Sequence, residues 1–212
     1  MTEETLRGDR LRMAAALDQA WIQYRANFGR VLPFGILAVL PPLGFLHSLP
    51  LGLALLFGVE GTLLMMLVDA IHRTDTEERP DLLRRCAHRA WHNIKNGTVI
   101  LLFVLPLLLV GFVAIIVPSI LFFSFFLFSF HHAAVRDKFA IDACMESYRN
   151  GRGLRSPLFL LALSFYLVIG VLFLAAYQLF DGAGWLAVLP CALFLPYYFM
   201  VIEEIFQRSE QS

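Results

Sequence analysis

The sequence has few charged residues, and that shortage restricts the class of protein. Charged side chains make up 16% of the 212 residues, against about 25% in an ordinary soluble domain. Because 58% of the residues are hydrophobic, this balance excludes an ordinary soluble globule and indicates that much of the chain lies in lipid. The formal net charge is zero, so the broadly basic surface of a nucleic-acid-binding protein is absent, and we expect no nucleic-acid partner.

Long segments without charge indicate the membrane spans. The 40 residues between Lys95 and Arg136 contain no charged side chain, and they exceed the roughly 20 apolar residues that one spanning helix needs. Pro118 divides this segment, because proline suits the first turn of a new helix. The sequence therefore predicts one all-α membrane domain with six transmembrane helices in three hairpins. The six predicted spans are Val31 to Leu46, Leu51 to Ile71, Thr98 to Ile116, Ser119 to Val135, Pro157 to Phe180 and Trp185 to Ile202.

The basic residues predict the orientation of these spans. All 17 lysines and arginines fall before the first span, between the second and third, between the fourth and fifth, or after the sixth. Basic residues concentrate on the cytoplasmic side of a membrane. We therefore expect the N- and C-termini to be cytoplasmic. The first 30 residues are polar and lack the apolar core of a signal peptide, so we expect no cleavable signal.

Each predicted hairpin follows a polar segment whose apolar residues recur at helical spacing. Their apolar faces are Met13, Leu17, Ala20, Trp21 and Tyr24 in the first segment, Leu83, Ala87, Ala90, Trp91 and Ile94 in the second, and Ile141, Cys144, Met145 and Tyr148 in the third. This spacing predicts three amphipathic helices at the cytoplasmic membrane surface. It also indicates approximate internal repeats over residues 9–71, 81–135 and 137–202. Duplication of one unit and convergence on an interfacial pattern both explain the similarity.

Aromatic and basic residues of these segments are the candidate lipid contacts. Aromatic side chains favour the headgroup level, and each basic residue near an anionic surface contributes on the order of 1 kcal/mol. Anionic lipids of the cytoplasmic leaflet are therefore the expected partners, together with a membrane-protein partner or a second copy of the chain. The candidate lipid-interface residues are Trp21, Arg25, Trp91, Lys95, Tyr148, Arg149 and Arg152.

Two motifs resemble a known family. Val117-Pro118-Ser119-Ile120 begins a Phe-rich span, and Val135-Arg136-Asp137-Lys138-Phe139 follows it, before a polar helix that contains Ala143 to Ser147. This order resembles the YciC-like family of bacterial inner-membrane proteins, and its layout is similar to the membrane domain attached to some glycerophosphodiesterases. Ser119 replaces the glycine usual in the family, and the outer loops are shorter. The resemblance implies a six-helix protein of the bacterial inner membrane and supplies no catalytic residue.

Glu60 is the one charged residue near the middle of a predicted span. A carboxylate at that depth is costly, so it must face the bundle, be protonated or pair with a polar neighbour. It would serve a proton or cation relay, or it would form a hydrogen bond between helices that Gly58 and Gly61 allow to approach closely. Asp69, about two and a half turns away, is expected on the opposite face near the membrane surface.

Histidines and cysteines give only weak metal-site patterns. His88 and His92 share one helix face, and His131 and His132 end the fourth predicted span, where snorkelling or capping is the default expectation. No paired CxxC and no HExxH motif is present, so we expect no metal and no cofactor. Cys86 and Cys144 are predicted to be cytoplasmic, so we expect no disulfide.

Without a catalytic motif, the sequence favours a non-enzymatic function. The first hypothesis is an inner-membrane scaffold or accessory subunit that interacts with lipids or partner proteins. The alternative is a small transporter or channel that uses intramembrane Glu60, with the proline-containing first and last spans beside the path. A lipid-modifying enzyme is the third possibility.

Overall fold

The computed structural model describes residues 3–73, 79–114, 120, 124, 126–151, 155–179, 186 and 188–210. All regular structure in those ranges is helical, which confirms the predicted all-α class. A 3-10 helix (Pro41–Leu46) follows the first helix, and a π-helical turn (Leu56–Glu60) joins the second helix to the third. The α-helices of the described ranges are α1 (Glu3–Val39), α2 (Leu49–Leu55), α3 (Gly61–Arg73), α4 (Arg79–His92), α5 (Ile94–Ala114), α6 (Ser129–Arg136), α7 (Ala140–Gly151), α8 (Arg155–Leu179) and α9 (Val188–Glu210).

Within the described residues, three helical segments are long and apolar enough to cross a membrane. They are Leu49–Arg73, Pro157–Leu179 and Val188–Arg208, and they coincide with the second, fifth and sixth predicted spans. A shorter apolar helix, Ile94–Val104, overlaps the start of the third predicted span. Much of the predicted fourth span lies outside the described residues, and α6 covers its last part.

The first helix continues through a boundary that the sequence predicts. A polar helix followed by a separate span from Val31 is expected, whereas α1 is a single helix of 37 residues that contains Pro33. Proline removes one helical hydrogen bond and usually kinks or ends a helix. Here Val31 and Phe34, on either side of Pro33, are buried against the rest of the bundle, so packing supports the helix across that position.

Close packing of α1 on α9 depends on a glycine and a proline. A Cβ atom at Gly35 would lie 2.4 Å from Cγ of Pro196 and 2.6 Å from the carbonyl oxygen of Ala192. Pro196 has no N–H to donate to that carbonyl, and Gly35 lets the neighbouring helix cover it. The Tyr24 hydroxyl donates a hydrogen bond of 2.7 Å to the Leu193 carbonyl. Neighbouring helices therefore accommodate the kink, as an apolar environment requires.

The centre of the bundle lies between α3, α6 and α9. Leu67, Phe128 and Ile202 are fully buried there. Arg89 of α4 and Arg208 of α9, which are far apart in the sequence, both lie at one end of these helices. Arg89 donates a hydrogen bond to Asp69 of α3, and Arg208 donates one to the Ala15 carbonyl in the first half of α1. We call this the basic end. Five arginines and lysines in ion pairs define it: Arg73, Arg89, Arg136, Lys138 and Arg208.

Candidate functional site

Three exposed rows of side chains share one register. We call them the interface rows, and each has two apolar residues followed by a basic residue at intervals of four. The rows are Leu17, Trp21 and Arg25 on α1; Ala87, Trp91 and Lys95 on α4 and α5; and Ile141, Met145 and Arg149 on α7. Every member is exposed, and Trp21 and Trp91 expose 49% and 71% of their surface.

A buried row lies one residue before each interface row. Its members are Ala16, Ala20 and Tyr24; Cys86 and Ala90; and Ala140 and Cys144. The sequence assigns residues of both kinds to a single apolar face, whereas the structure divides them between the bundle core and the surface. Each helix therefore uses part of its apolar surface to pack on the bundle and leaves the adjacent part exposed.

The seven lipid-interface candidates do not share one environment. Tyr148 is half-buried and lies in the register of Tyr24, so it belongs with the buried rows. Trp21 packs edge-on against Tyr197 of α9, with ring centroids 5.8 Å apart. Arg152 lies outside the described residues. Six of the seven candidates can therefore be located, and five of those six are exposed.

Glu60 is buried at the end of the π-helical turn. Only 9% of its surface is exposed, and its Oε2 atom has no hydrogen-bond partner in the described part of the chain. A π-helical turn widens the helix locally and often occurs at functional positions. Of the two flanking glycines, Gly61 contacts the backbone of Gly97, because a Cβ there would lie 2.2 Å from the Gly97 carbonyl oxygen. Gly58 faces open space.

Glu60 lines a large apolar cavity, which we call the central cavity. Its volume is about 490 Å³, which is within the range of small-molecule sites. Tyr198 also lines it, and the Tyr198 hydroxyl is buried without a hydrogen-bond partner among the described residues. Most of the wall is carbon, contributed by side chains that include Phe126, Phe130, Phe165, Phe173 and Phe199.

Asp69 is buried and ion-paired at the basic end. Its Oδ1 atom accepts hydrogen bonds from Nε of Arg73 at 2.9 Å and from a terminal guanidinium nitrogen of Arg89 at 3.2 Å. Arg89 also pairs with Asp137, which ends α6 in the left-handed conformation at φ 51°. Arg89 therefore links α3, α4 and the end of α6.

Glu203 is a buried carboxylate that the sequence interpretation overlooks. Its Oε1 atom lies 2.7 Å from Nδ1 of His72 and accepts a hydrogen bond of 2.7 Å from Gln207. Its Oε2 atom lies 3.3 Å from Nε2 of His131, a fully buried ring. One signal was available, because His72, His131 and Glu203 all stand at or beside the predicted cytoplasmic ends of spans, and the six-span topology places those ends at one membrane level.

The second buried histidine contacts a separate acidic group. The Nε2 atom of His132 lies 3.3 Å from Nδ2 of Asn150, and its Nδ1 atom lies 3.9 Å from Oε2 of Glu146. Glu146 also pairs with Arg136 at 3.3 Å and accepts a hydrogen bond from Lys138. Burial raises the pKa of Glu146, but the Lys138 hydrogen bond and the nearby charges outweigh burial and lower the pKa below its ordinary value. Full burial of His131 and His132 differs from the snorkelling or capping positions that we expect from their sequence.

His88 and His92 line an open basic cavity rather than a metal cluster. Their rings stack with centroids 4.4 Å apart, and Nδ1 of His92 lies 3.2 Å from the His88 carbonyl oxygen. In the described ranges no group of three or more His, Cys, Asp or Glu side chains is arranged to hold a metal ion. The cavity measures about 760 Å³, and its wall includes Arg73, Arg84, Arg85 and Arg89.

The structure therefore separates two regions of potential function. The basic end carries the interface rows on nearby helices and holds acidic groups in ion pairs, while the central cavity holds an unpartnered carboxylate. Comparisons of the chain with protein-family models, with curated proteins and with solved structures find no match.

Proposed function

We propose that this chain is a non-enzymatic protein of the bacterial inner membrane that binds anionic lipids of the cytoplasmic leaflet and serves as a scaffold or accessory subunit. The interface rows carry the proposal. In each row two apolar side chains would enter the headgroup region while the basic residue at the next position reaches lipid phosphate, as in interfacial amphipathic helices. Each basic residue adds on the order of 1 kcal/mol near an anionic surface. The resemblance to the YciC-like family implies the same location in the bacterial inner membrane.

The proposed topology has six spans, with both termini in the cytoplasm. Three long apolar helices support it, as do the ion-paired lysines and arginines that gather at one end of the bundle. The shared register of the interface rows supports the three approximate repeats. A cysteine introduced at Asp181, in a chain whose native cysteines are replaced by alanine, should react with an impermeant maleimide added outside the membrane. Reaction only after permeabilisation would contradict this orientation.

Tryptophan fluorescence tests the depth of the interface rows. The chain has three tryptophans, so Trp185→Phe combined with Trp91→Phe leaves Trp21 as the only tryptophan, and Trp185→Phe combined with Trp21→Phe leaves Trp91. In vesicles, lipids brominated near the headgroup should quench both residues more strongly than lipids brominated at the chain ends. If neither brominated lipid quenches the tryptophans, the rows lie in water and do not contact lipid.

Retention of anionic lipid tests the basic members of the rows. Arg25→Gln with Arg149→Gln should reduce the phosphatidylglycerol that remains bound in native mass spectrometry of the purified protein. Arg84→Gln with Arg85→Gln removes the same charge from exposed positions of α4 outside the rows and serves as the matched control. Equal losses in both variants would show that net charge, rather than the rows, attracts the lipid.

The central cavity favours a second candidate function, a small transporter or channel that uses Glu60. A buried carboxylate beside a cavity and a π-helical turn is an arrangement suited to a cation or proton path. In proteoliposomes with an internal pH dye, an imposed proton gradient should dissipate faster with the native chain than with Glu60→Gln. Equal rates would reject the Glu60 path, and they would leave the lipid-binding proposal intact.

A further inference from the structure

The central cavity combines an apolar wall with two unsatisfied polar groups. Both Oε2 of Glu60 and the hydroxyl of Tyr198 are buried without hydrogen-bond partners within the described ranges. Glu60 is about nine-tenths buried, and Tyr198 is 2% exposed. A buried polar atom without a partner is costly in an apolar environment. A bound molecule that supplies the missing contacts would remove that cost.

The sign of charge in the cavity restricts the ligand. Glu60 is its one formally charged lining residue in the described part of the chain, and no Lys, Arg or His lines it there. With Glu60 ionised, an anionic ligand such as a fatty acid would place two negative charges together in a medium of low dielectric constant, which is strongly unfavourable. A cation would compensate the buried carboxylate.

The aromatic wall supports the same choice of ligand. Five phenylalanines and Tyr198 line the cavity, and aromatic faces attract cations as well as apolar groups. Small inorganic cations prefer oxygen-rich sites, and this wall offers few oxygen atoms. The ligand must therefore carry its positive charge on a lipophilic body.

We propose that the central cavity binds a lipophilic monocation, with the cationic centre beside Glu60 and the apolar body against the phenylalanine side chains. The proposal deepens the second candidate function because it names the class of ligand. It concerns binding alone. If the chain binds the cation but moves neither charge nor protons, the transport function is rejected and the binding site still stands.

Tetraphenylphosphonium is the probe for this proposal, and tetraphenylborate is its match in size and shape with the opposite charge. The full chain is placed in nanodiscs of phosphatidylcholine, and binding is measured by equilibrium dialysis with empty nanodiscs as the blank. Tetraphenylphosphonium should bind saturably, and Glu60→Gln should weaken its binding by about tenfold or more, because the substitution removes one partner of a buried charge pair. Asp142→Asn, at an exposed position of α7, removes the same charge away from the cavity and should bind as the native chain does.

A second variant tests the cavity independently of its charge. Leu195→Trp adds bulk to the wall and keeps Glu60, so it should also reduce tetraphenylphosphonium binding. Size-exclusion profiles and circular dichroism report whether each variant is folded. Unchanged binding of tetraphenylphosphonium to the folded Glu60→Gln variant would overturn the proposal. The proposal would also fail if tetraphenylborate bound saturably, at least as tightly as tetraphenylphosphonium, and lost binding equally with Leu195→Trp.

Discussion

Glu60 and Asp69 lie nine residues apart on one helical segment, and both are buried, yet their surroundings differ. Asp69, at the basic end, accepts hydrogen bonds from Arg73 and Arg89. Each acid has one buried oxygen without a hydrogen-bond partner among the described residues, but Glu60, nearer the middle of the segment, lines the central cavity and has no described cation beside it. Burial of a carboxylate therefore does not by itself indicate function. The partnered acid links helices, whereas the acid without a partner is available to a ligand.

Removal of Arg89 should have the largest effect on the free energy of unfolding. Arg89→Leu removes one of the two cations beside Asp69 and the ion-pair partner of Asp137, so it should lower the free energy of unfolding by about 2–3 kcal/mol. This value is below the usual cost of breaking a fully buried pair, because Arg73 remains and both arginines are partly exposed. Glu60→Gln should change the same free energy by less than about 1 kcal/mol, because no cation is left unpaired. Unfolding in mixed micelles with increasing dodecyl sulfate measures both.

Equal destabilisation by the two variants would contradict the comparison, since it would assign Glu60 the same structural role as Asp69. Arg84→Leu is the matched control for the loss of an arginine on α4. Arg84 has no ion pair within the described residues, and its loss should cost less than about 0.5 kcal/mol.

Alanine substitutions of the two glycines that flank Glu60 should have different effects on the free energy of unfolding. Gly61→Ala should lower the free energy of unfolding by about 1–3 kcal/mol, because its Cβ would overlap the backbone of Gly97 and force α3 and α5 apart. Gly58→Ala is the matched control, and open space around it predicts no loss, with a gain of up to about 1 kcal/mol from helix propensity. The same unfolding assay ranks the two variants. A larger loss of unfolding free energy from Gly58→Ala than from Gly61→Ala would contradict a close helix contact at Gly61.

The smallest expected effect is the acid dependence that Glu146 produces. Its pKa in the folded protein lies below the ordinary value of 4.5, so the folded state favours the ionised form. The stabilisation is complete above the ordinary pKa and is lost as the pH falls through the lowered folded pKa. Between pH 7 and pH 3, Glu146→Gln should therefore show a smaller decline in midpoint unfolding temperature than the native chain does. A steeper decline in the variant would reverse the sign of this contribution.

Some features of the functional regions could be predicted from local sequence. The isolation of Glu60 within an apolar segment indicates a buried carboxylate, and the spacing of Leu17, Trp21 and Arg25 indicates one helical face. The division of that face into a buried and an exposed row could not be predicted, because adjacent apolar residues satisfy the same periodicity. The contacts of Glu203 cannot be read from local sequence, because its partners His72 and His131 lie far from it in the chain and only the assembled bundle joins them.

Helical class, the three long apolar helices and the candidate interface residues follow from the sequence alone, because helical periodicity and apolar length are local properties of the chain. The continuous α1 is decided by tertiary structure, because burial of Val31 and Phe34 supports the helix across Pro33. Tertiary structure also decides which buried acids have partners. Asp69 meets Arg89 across 20 residues and Glu203 meets His72 across 131, contacts that exist only once separate helices pack. The same packing leaves Glu60 facing a cavity, because the neighbouring helices supply carbon there rather than charge.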